Sequence, residues 1–200
     1  MTTYSMPTIG FQSASFGLIP NTKRFTSPLS GDTQHLELAG ARWLATFTFK
    51  TTKRSEAAAV TAFVSNLLGG ANTFYGYDPN ATTPLGTGSG TPLVQGSNQV
   101  GRSLITDGWT INQTVLKAGD YFTVNGEYKM VSADVTSDGS GNATITFVPA
   151  LRTSPANNAA ITVTSPTCLM VPTDDQQSQW QIDEAGFYTI VFNAVETFFV

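Results

Sequence analysis

The chain has 200 residues and a net charge of −4, which is enough for one large β domain or two small ones. Charged residues make up 12% of it, about half of the usual ~25%. No basic run is present, so we do not expect nucleic-acid binding through clustered phosphate contacts.

The single cysteine, Cys168, excludes an intrachain disulfide and fits synthesis in a reducing compartment. Residues 1–16 lack the basic start and the apolar run of a signal peptide. No stretch approaches the ~20 apolar residues of a membrane span. We therefore expect a protein that is made in the cytoplasm and has no membrane segment.

The first strands are predicted from alternation. Residues 1–33 are expected to be irregular, because prolines and turn sequences interrupt them. Residues 34–38 predict a short strand. Residues 43–50 predict a strand with one buried face, because apolar side chains recur at every second position. The predicted buried residues are Trp43, Ala45, Phe47 and Phe49.

Residues 55–68 predict the one convincing helix. Ser55 is the expected N-cap, and Glu56 in the first turn suits the positive end of the helix dipole. Gly69 and Gly70 are expected to end the helix. Its apolar residues follow the i, i+3, i+4 spacing of a stripe that must pack on a sheet. They are Val60, Phe63, Val64, Leu67 and Leu68.

A second group of strands follows a Gly/Ser/Thr-rich segment, residues 82–91, that we interpret as a linker. Asn125-Gly126 between two alternating runs predicts a hairpin with a type I′ turn. Residues 138–142 predict another turn. Residues 143–148 and 160–164 are predicted strands.

The C-terminal part predicts a further hairpin of residues 180–182 and 187–195. Its long strand resembles residues 43–49 in length and aromatic content, so we place both in one sheet. The predicted organisation is a discontinuous domain of residues 1–88 and 173–200 with a small β domain, residues 91–172, inserted into it.

Catalytic and metal-binding groups are scarce. His35 is the only histidine and lies in a polar-faced strand, so a surface or packing role is favoured over a general base. The adjacent pairs Asp174-Asp175 and Asp183-Glu184 lie beside turns, where acidic residues are common for backbone reasons. We predict no enzyme activity, no catalytic residue, no cofactor and no metal.

Two glycine-rich segments are interpreted as structural. Gly86–Gly90 lacks the strand before it and the helix after it that a phosphate-binding loop needs. Residues 138–142 lack the spacing and terminal glutamate of a calcium loop. Five aromatic residues could form a sugar-stacking face, but burial in cores and subunit contacts is favoured. They are Tyr75, Tyr77, Trp109, Tyr121 and Tyr128.

Several segments distributed along the chain form a recognisable set. The first is Phe25-Thr-Ser-Pro-Leu-Ser-Gly31, followed by Gln34 and by Leu38-Ala-Gly-Ala-Arg-Trp43. After the helix come Leu67-Leu-Gly-Gly70, Phe74 and Asp78-Pro79. The last are Lys117-Ala-Gly-Asp-Tyr-Phe122, Gly126-Glu-Tyr-Lys129 and Ile145-Thr-Phe-Val-Pro-Ala-Leu-Arg152. Together these segments resemble distal-tail, or tail-tip, proteins of long flexible-tailed (siphovirus-type) bacteriophages.

This resemblance implies a mainly β fold with one α-helix: a tail-tube-like β barrel or sandwich plus an inserted small β barrel. The inserted domain would be oligosaccharide/oligonucleotide-binding-like or galectin-like. The resemblance also implies a hexameric ring that joins the tail-tube protein to the baseplate hub protein and the receptor-binding apparatus. DNA would pass through the ring without specific binding, and the protein would lie in the virion after assembly in the host cytoplasm. The alternatives are a tail-tube subunit and a glycan-binding β module used in host adsorption.

Overall fold

The computed structural model describes residues 1–198. It is 45% strand and 10% helical, with one α-helix and a nearly closed, barrel-like sheet. The predicted fold class, mainly β with one helix, is confirmed.

The strands divide into three runs along the chain. Before the helix lie β1 (Thr3–Ser5), β2 (Phe11–Ile19), β3 (Thr22–Thr26), β4 (Thr33–Glu37), β5 (Arg42–Phe49) and β6 (Thr52–Lys53). After helix α1 (Arg54–Asn66) come β7 (Thr73–Gly76), β8 (Gly90–Val94), β9 (Ser103–Trp109), β10 (Thr114–Leu116), β11 (Tyr121–Val124) and β12 (Glu127–Val131). The last run is β13 (Val135–Thr136), β14 (Ala143–Val148), β15 (Ile161–Thr162), β16 (Cys168–Pro172), β17 (Trp180–Ile182) and β18 (Phe187–Glu196).

The first sheet has the order β1-β7-β16-β18-β5-β2, with β6 and β17 also paired to β18. Strand β5 alternates as predicted, with Trp43, Ala45, Phe47 and Phe49 buried. It pairs antiparallel with β18, Ala45 opposite Ala194. The prediction that these two distant strands share one sheet is therefore confirmed.

The expectation that residues 1–33 are irregular is wrong, because β1, β2 and β3 lie there. Strand β2 pairs with β5 over its whole length, with Phe16 opposite Ala45 and Leu18 opposite Trp43. Its other residues include serine, alanine and glycine, which give a weak alternation signal. Pairing with the strongly apolar β5 determines this strand, rather than its own composition.

Helix α1 begins one residue earlier than predicted. Its N-cap is Lys53, without a side-chain capping bond, and Ser55 lies inside the first turn. The helix starts directly from β6, where the Thr52 hydroxyl donates to the Glu56 carboxylate. Residues Val60, Phe63, Val64 and Leu67 are buried as predicted.

The end of the helix is partly as predicted. Leu68 is not part of the buried stripe, because it is 67% exposed in the following 3₁₀ turn, Leu68–Gly70. Gly69 adopts φ 63° and Gly70 φ 105° there, a conformation that glycine tolerates and that ends the helix. The buried stripe packs on the sheet, with the Phe63 ring 5.6 Å from that of Phe74 and 6.1 Å from that of Phe192.

The second sheet has the order β15-β11-β12-β14-β9-β8. A bridge between Leu93 and Ala160 brings its two ends together. The predicted hairpin is confirmed: β11 and β12 are joined by Asn125 and Gly126, with φ of 50° and 73°. The interior forms a separate apolar cluster that includes Val94, Leu104, Phe122, Ile145 and Phe147.

The division of the chain into two domains stays a prediction. Strand β16 pairs with β7 and β18, so Cys168–Pro172 lies in the first sheet and not in the second. The linker interpretation of residues 82–91 is wrong in part, because Gly90 begins β8. The backbone N–H groups of Leu85 and Gly86 also donate to the buried Asp120 carboxylate, at 2.7 and 3.1 Å. These contacts hold the segment against the second sheet.

Candidate assembly interface

A hairpin of β3 and β4 projects from the first sheet; we refer to residues 22–37 as the arm. All ten residues of its two strands are exposed. Its tip is closed by backbone bonds from Ser27 N to Asp32 O, 2.8 Å, and from Gly31 N to Ser27 O, 3.0 Å. An ion pair between Glu37 and Arg102 connects its base to the second sheet.

The arm carries apolar side chains in water. Leu29 at the tip is 98% exposed, Phe25 56% and Leu36 50%. Phe25 lies opposite Gln34, and Lys23 lies opposite Leu36, so Phe25 and Leu36 share one side of the hairpin. An isolated two-stranded hairpin is only marginally stable in water. Apolar residues grouped on such an element are typical of a contact surface.

Strand β2 forms an edge of the first sheet beside the arm. It pairs with β5 on one side, and among residues 1–198 no strand pairs with its other side. Its nine residues contain no charged side chain and no proline. Sheet edges in monomeric proteins are usually protected by charges, prolines or bulges. This long edge lacks the first two of these protections.

A second exposed region, which we call the β17 surface, surrounds β17. Trp180 and Ile182 lie on one face of β17 and are 38% and 55% exposed, and Val191 of β18, 43% exposed, lies on the opposite face of the sheet. The acidic pairs predicted to lie beside turns flank this strand. Asp174 accepts the Gln176 N–H at 2.8 Å and Asp183 accepts the Phe187 N–H at 2.8 Å. Hydrogen bonds from the Gln177 side chain and the Gln176 backbone lower the pKa of Asp174.

Four charged side chains meet where the two sheets contact each other; we call them the buried charge cluster. Lys129 Nζ lies 2.7 Å from Glu127 Oε2 and donates to the Ala150 carbonyl at 2.8 Å. Arg152 Nη2 lies 3.0 Å from Glu196 Oε1, without hydrogen-bond alignment. Glu196 also accepts the backbone N–H of Trp43 at 3.1 Å. The cluster thus connects strands β5 and β18 of the first sheet to β12 of the second.

Burial and pairing shift the pKa values of this cluster in different directions. Burial raises the pKa of Glu196, and the positive charge of Arg152 offsets this only in part. Burial also acts to raise the pKa of Glu127, but bonds from Lys129, Arg152 and Thr153 outweigh it and the net pKa is lowered. Burial lowers the pKa of Lys129. Two carboxylates face two cations, so the cluster has no excess charge to attract an ionic ligand.

An aromatic group next to the cluster strengthens the contact between the sheets. The Trp43 indole N–H donates to the Tyr128 carbonyl at 2.9 Å. The Tyr121 and Tyr128 rings stack 5.0 Å apart, and Phe16 packs edge-on against Tyr128. A pocket of about 420 Å³ lies beside this group, with Thr123, Arg152, Thr153 and Leu169 in its wall. Because its charges are already paired, we interpret this region as structural.

The other candidate site residues named in the sequence analysis lie on the surface, in a turn or in the two cores. His35 is exposed on the arm. The Asp138 carboxylate accepts the N–H groups of Ser140 and Asn142, both at 2.8 Å, which confirms the predicted turn. The five aromatic residues do not form one exposed face. Trp109 is 4% exposed in the second core and Tyr128 is fully buried in the first.

The described residues contain no group of three or more histidine, cysteine, aspartate or glutamate side chains that could hold a metal ion. None of the helical segments within residues 1–198 is long and apolar enough to cross a membrane. Comparisons with protein-family models and with curated protein sequences give no match to this chain. The candidate interface consists of three exposed surfaces: the arm, the β2 edge and the β17 surface.

Proposed function

We propose that this chain is a structural adaptor that forms a ring at the tail tip of a long flexible-tailed bacteriophage. The ring joins the tail tube to the baseplate hub and the receptor-binding apparatus. DNA passes through its centre without specific binding. The adaptor acts by assembly and not by catalysis.

The observation that carries this proposal is the pair of exposed elements at one side of the first sheet. The β2 edge offers the unpaired outer side of a nine-residue strand that has no charge to block pairing. Next to it, the arm holds Phe25, Leu29 and Leu36 in solvent. A chain with these features gains stability when further subunits cover them, and contacts of this kind build rings or tubes. The resemblance of residues 25–43 and 67–79 to tail-tip proteins supports the same function.

The test is to image the full chain, alone and with the tube and hub proteins of the same phage. We expect rings of uniform size by electron microscopy, with six copies by native mass spectrometry. Antibody labelling is expected to mark the tip of the tail in whole particles. A chain that is missing from tail particles contradicts the proposal.

The alternative of a tail-tube subunit rests on the same exposed elements, since a ring that stacks on itself forms a tube. Labelling along the whole tail, instead of at its tip, would favour the tube subunit. A glycan-binding module would have to use side chains other than Trp109 and Tyr128, because both are buried.

A further inference from the structure

We infer that the arm of one copy of this chain docks on the β17 surface of a second copy. This inference rests on the proposed ring-forming function and names the contact that would close the ring. Three observations carry it: the positions of the two surfaces in the fold, their apolar side chains and their opposite charges.

The two surfaces lie at opposite ends of the first sheet. The arm leaves the sheet after Ile19 of β2 and rejoins it before Arg42 of β5. At the other end of β5, Thr48 pairs with Val191, next to the Ile190 position that pairs with Trp180. The eight residues of β5 separate these ends by roughly 25 Å at ~3.3 Å per residue. The arm therefore reaches the β17 surface of another copy and not its own.

The apolar side chains of both surfaces are exposed in the single chain. The arm presents Leu29, Phe25 and Leu36, and one face of β17 presents Trp180 and Ile182. Leu29 at 98% exposure has most to gain from coverage, followed by Phe25 at 56% and Ile182 at 55%. Tryptophan is a frequent anchor in protein interfaces.

The charges of the two surfaces are complementary. Strand β3 carries Lys23 and Arg24 and no carboxylate. The two carboxylates of the arm leave this positive pair uncompensated, because Asp32 lies at the tip of the hairpin, beyond the Thr26–Thr33 pair, and the charge of Glu37 is neutralised by Arg102.

The β17 surface has the opposite sign. Two acidic pairs flank it, and the sequence has no lysine or arginine after Arg152. Lys53 pairs with Phe187 across the other edge of β18, away from β17. Complementary charge of this kind fixes the partner and its orientation.

The contact joins two different patches, so it is head-to-tail. Repetition of such a contact gives a closed ring when the rotation between copies closes, and a filament when it does not. The proposed ring requires a contact of this type.

The experiment uses charge reversal in the full chain and sedimentation velocity. K23E/R24E reverses the charge of strand β3 in the arm. D175K/Q181K/E184K reverses the charge of the β17 surface but keeps Asp174 and Asp183, whose carboxylates hold backbone N–H groups. Wild type is expected to associate at low salt. Each reversed chain is expected to stay monomeric, and an equimolar mixture of the two is expected to associate again. K117E, at an exposed lysine that follows β10, is the control and should associate like wild type.

Disulfide trapping tests the same contact without relying on its charges. Chains with L29C and chains with I182C are mixed and oxidised; the native Cys168 is buried and does not interfere. A cross-linked dimer is expected, and replacing I182C by V100C, at a residue 73% exposed on the second sheet, should abolish it. Failure of the mixed chains to associate or to cross-link overturns the docking. If the mixed chains associate but the protein is absent from tail particles, the docking proposal is supported and the proposed tail-tip function is contradicted.

Discussion

Lys129 and Glu127 lie two residues apart on β12, on the same face of that strand, with Nζ and Oε2 2.7 Å apart. Both side chains are buried, and Lys129 has no exposed surface. Glu127 also accepts the backbone N–H groups of Arg152 and Thr153 at 3.0 and 2.9 Å. The pair therefore holds residues 152 and 153, which follow β14, against strand β12.

Removing the cation of this pair should destabilise the folded state. K129M is expected to lower the free energy of unfolding by about 3–5 kcal/mol, because it leaves a buried carboxylate without its counter-ion. Urea unfolding followed by tryptophan fluorescence measures the change. K117M is the matched control and should stay within about 0.5 kcal/mol of wild type, since Lys117 is exposed. The double variant E127Q/K129M is expected to regain part of the loss; equal loss in both would show that ion pairing is not the cause.

The buried Glu196 predicts a pH dependence of stability. Its pKa is raised above the ordinary 4.5, so the folded state keeps its proton to higher pH than the unfolded state. The contribution of Glu196 to stability is therefore largest below pH ~4.5 and falls as the pH rises through the folded-state pKa. E196Q has no titrating group, so the stability of wild type relative to E196Q should decrease over this range. A difference that is constant with pH would contradict the raised pKa.

Asp120 should be the main support of the segment that leads into β8. Its carboxylate accepts N–H groups from Leu85, Gly86 and Lys117 at 2.7, 3.1 and 2.7 Å. D120A strands several of these donors, and each unsatisfied buried group costs about 1–3 kcal/mol. Amide hydrogen exchange is expected to accelerate at residues 85 and 86 in the variant. D134A, which removes one exposed acceptor for the Ala118 N–H, should have a smaller effect on stability and none at residues 85 and 86.

Gly86 should tolerate no side chain. A Cβ atom at this position would lie 2.3 Å from the Val115 carbonyl oxygen, a backbone atom that cannot move independently. G86A is therefore expected to lower the melting temperature by several degrees, as a loss of about 1–3 kcal/mol would. G10A is the control, because a Cβ atom there meets nothing within 4 Å. Equal melting temperatures for G86A and G10A would show that the segment is a loose linker.

Trp109 is expected to stabilise the folded state and not to contact a glycan. It is 4% exposed, and its indole N–H donates to the Thr106 hydroxyl at 2.8 Å. W109A should destabilise the chain by about 3–5 kcal/mol through loss of a large buried side chain. The control is Y75A, since Tyr75 is 47% exposed. Loss of host adsorption with Y75A and an unchanged melting temperature would instead support a glycan contact.

The sequence predicts elements whose own residues carry a strong pattern. Strand β5 has a large apolar side chain at every second position, and Asn125-Gly126 requires a specific turn. Strands β2 and β3 escaped prediction because their residues are small, polar or exposed, whereas β4, Thr33–Glu37, confirms the short strand predicted at residues 34–38. The buried charge cluster has no local signal, because Glu127 and Lys129 look like ordinary surface residues of a strand. Arg152, which pairs with Glu127, lies 25 residues further along the chain, and Glu196, which pairs with Arg152, lies another 44 residues beyond it (196 − 152).

The position of β18 in the chain has a consequence for biosynthesis. This strand is the central partner of β5, β6, β16 and β17, yet it is the last strand in the order of the chain. Until β18 is synthesised, the inner edge of β5 has no permanent partner. Folding of the first sheet must therefore wait for β18, whereas the second sheet has all its strands by Thr162. Long-range strand pairing of this kind is slow, and it leaves unpaired, aggregation-prone strand edges exposed until it is complete. Production of this protein should therefore depend on chaperones more than its size alone indicates.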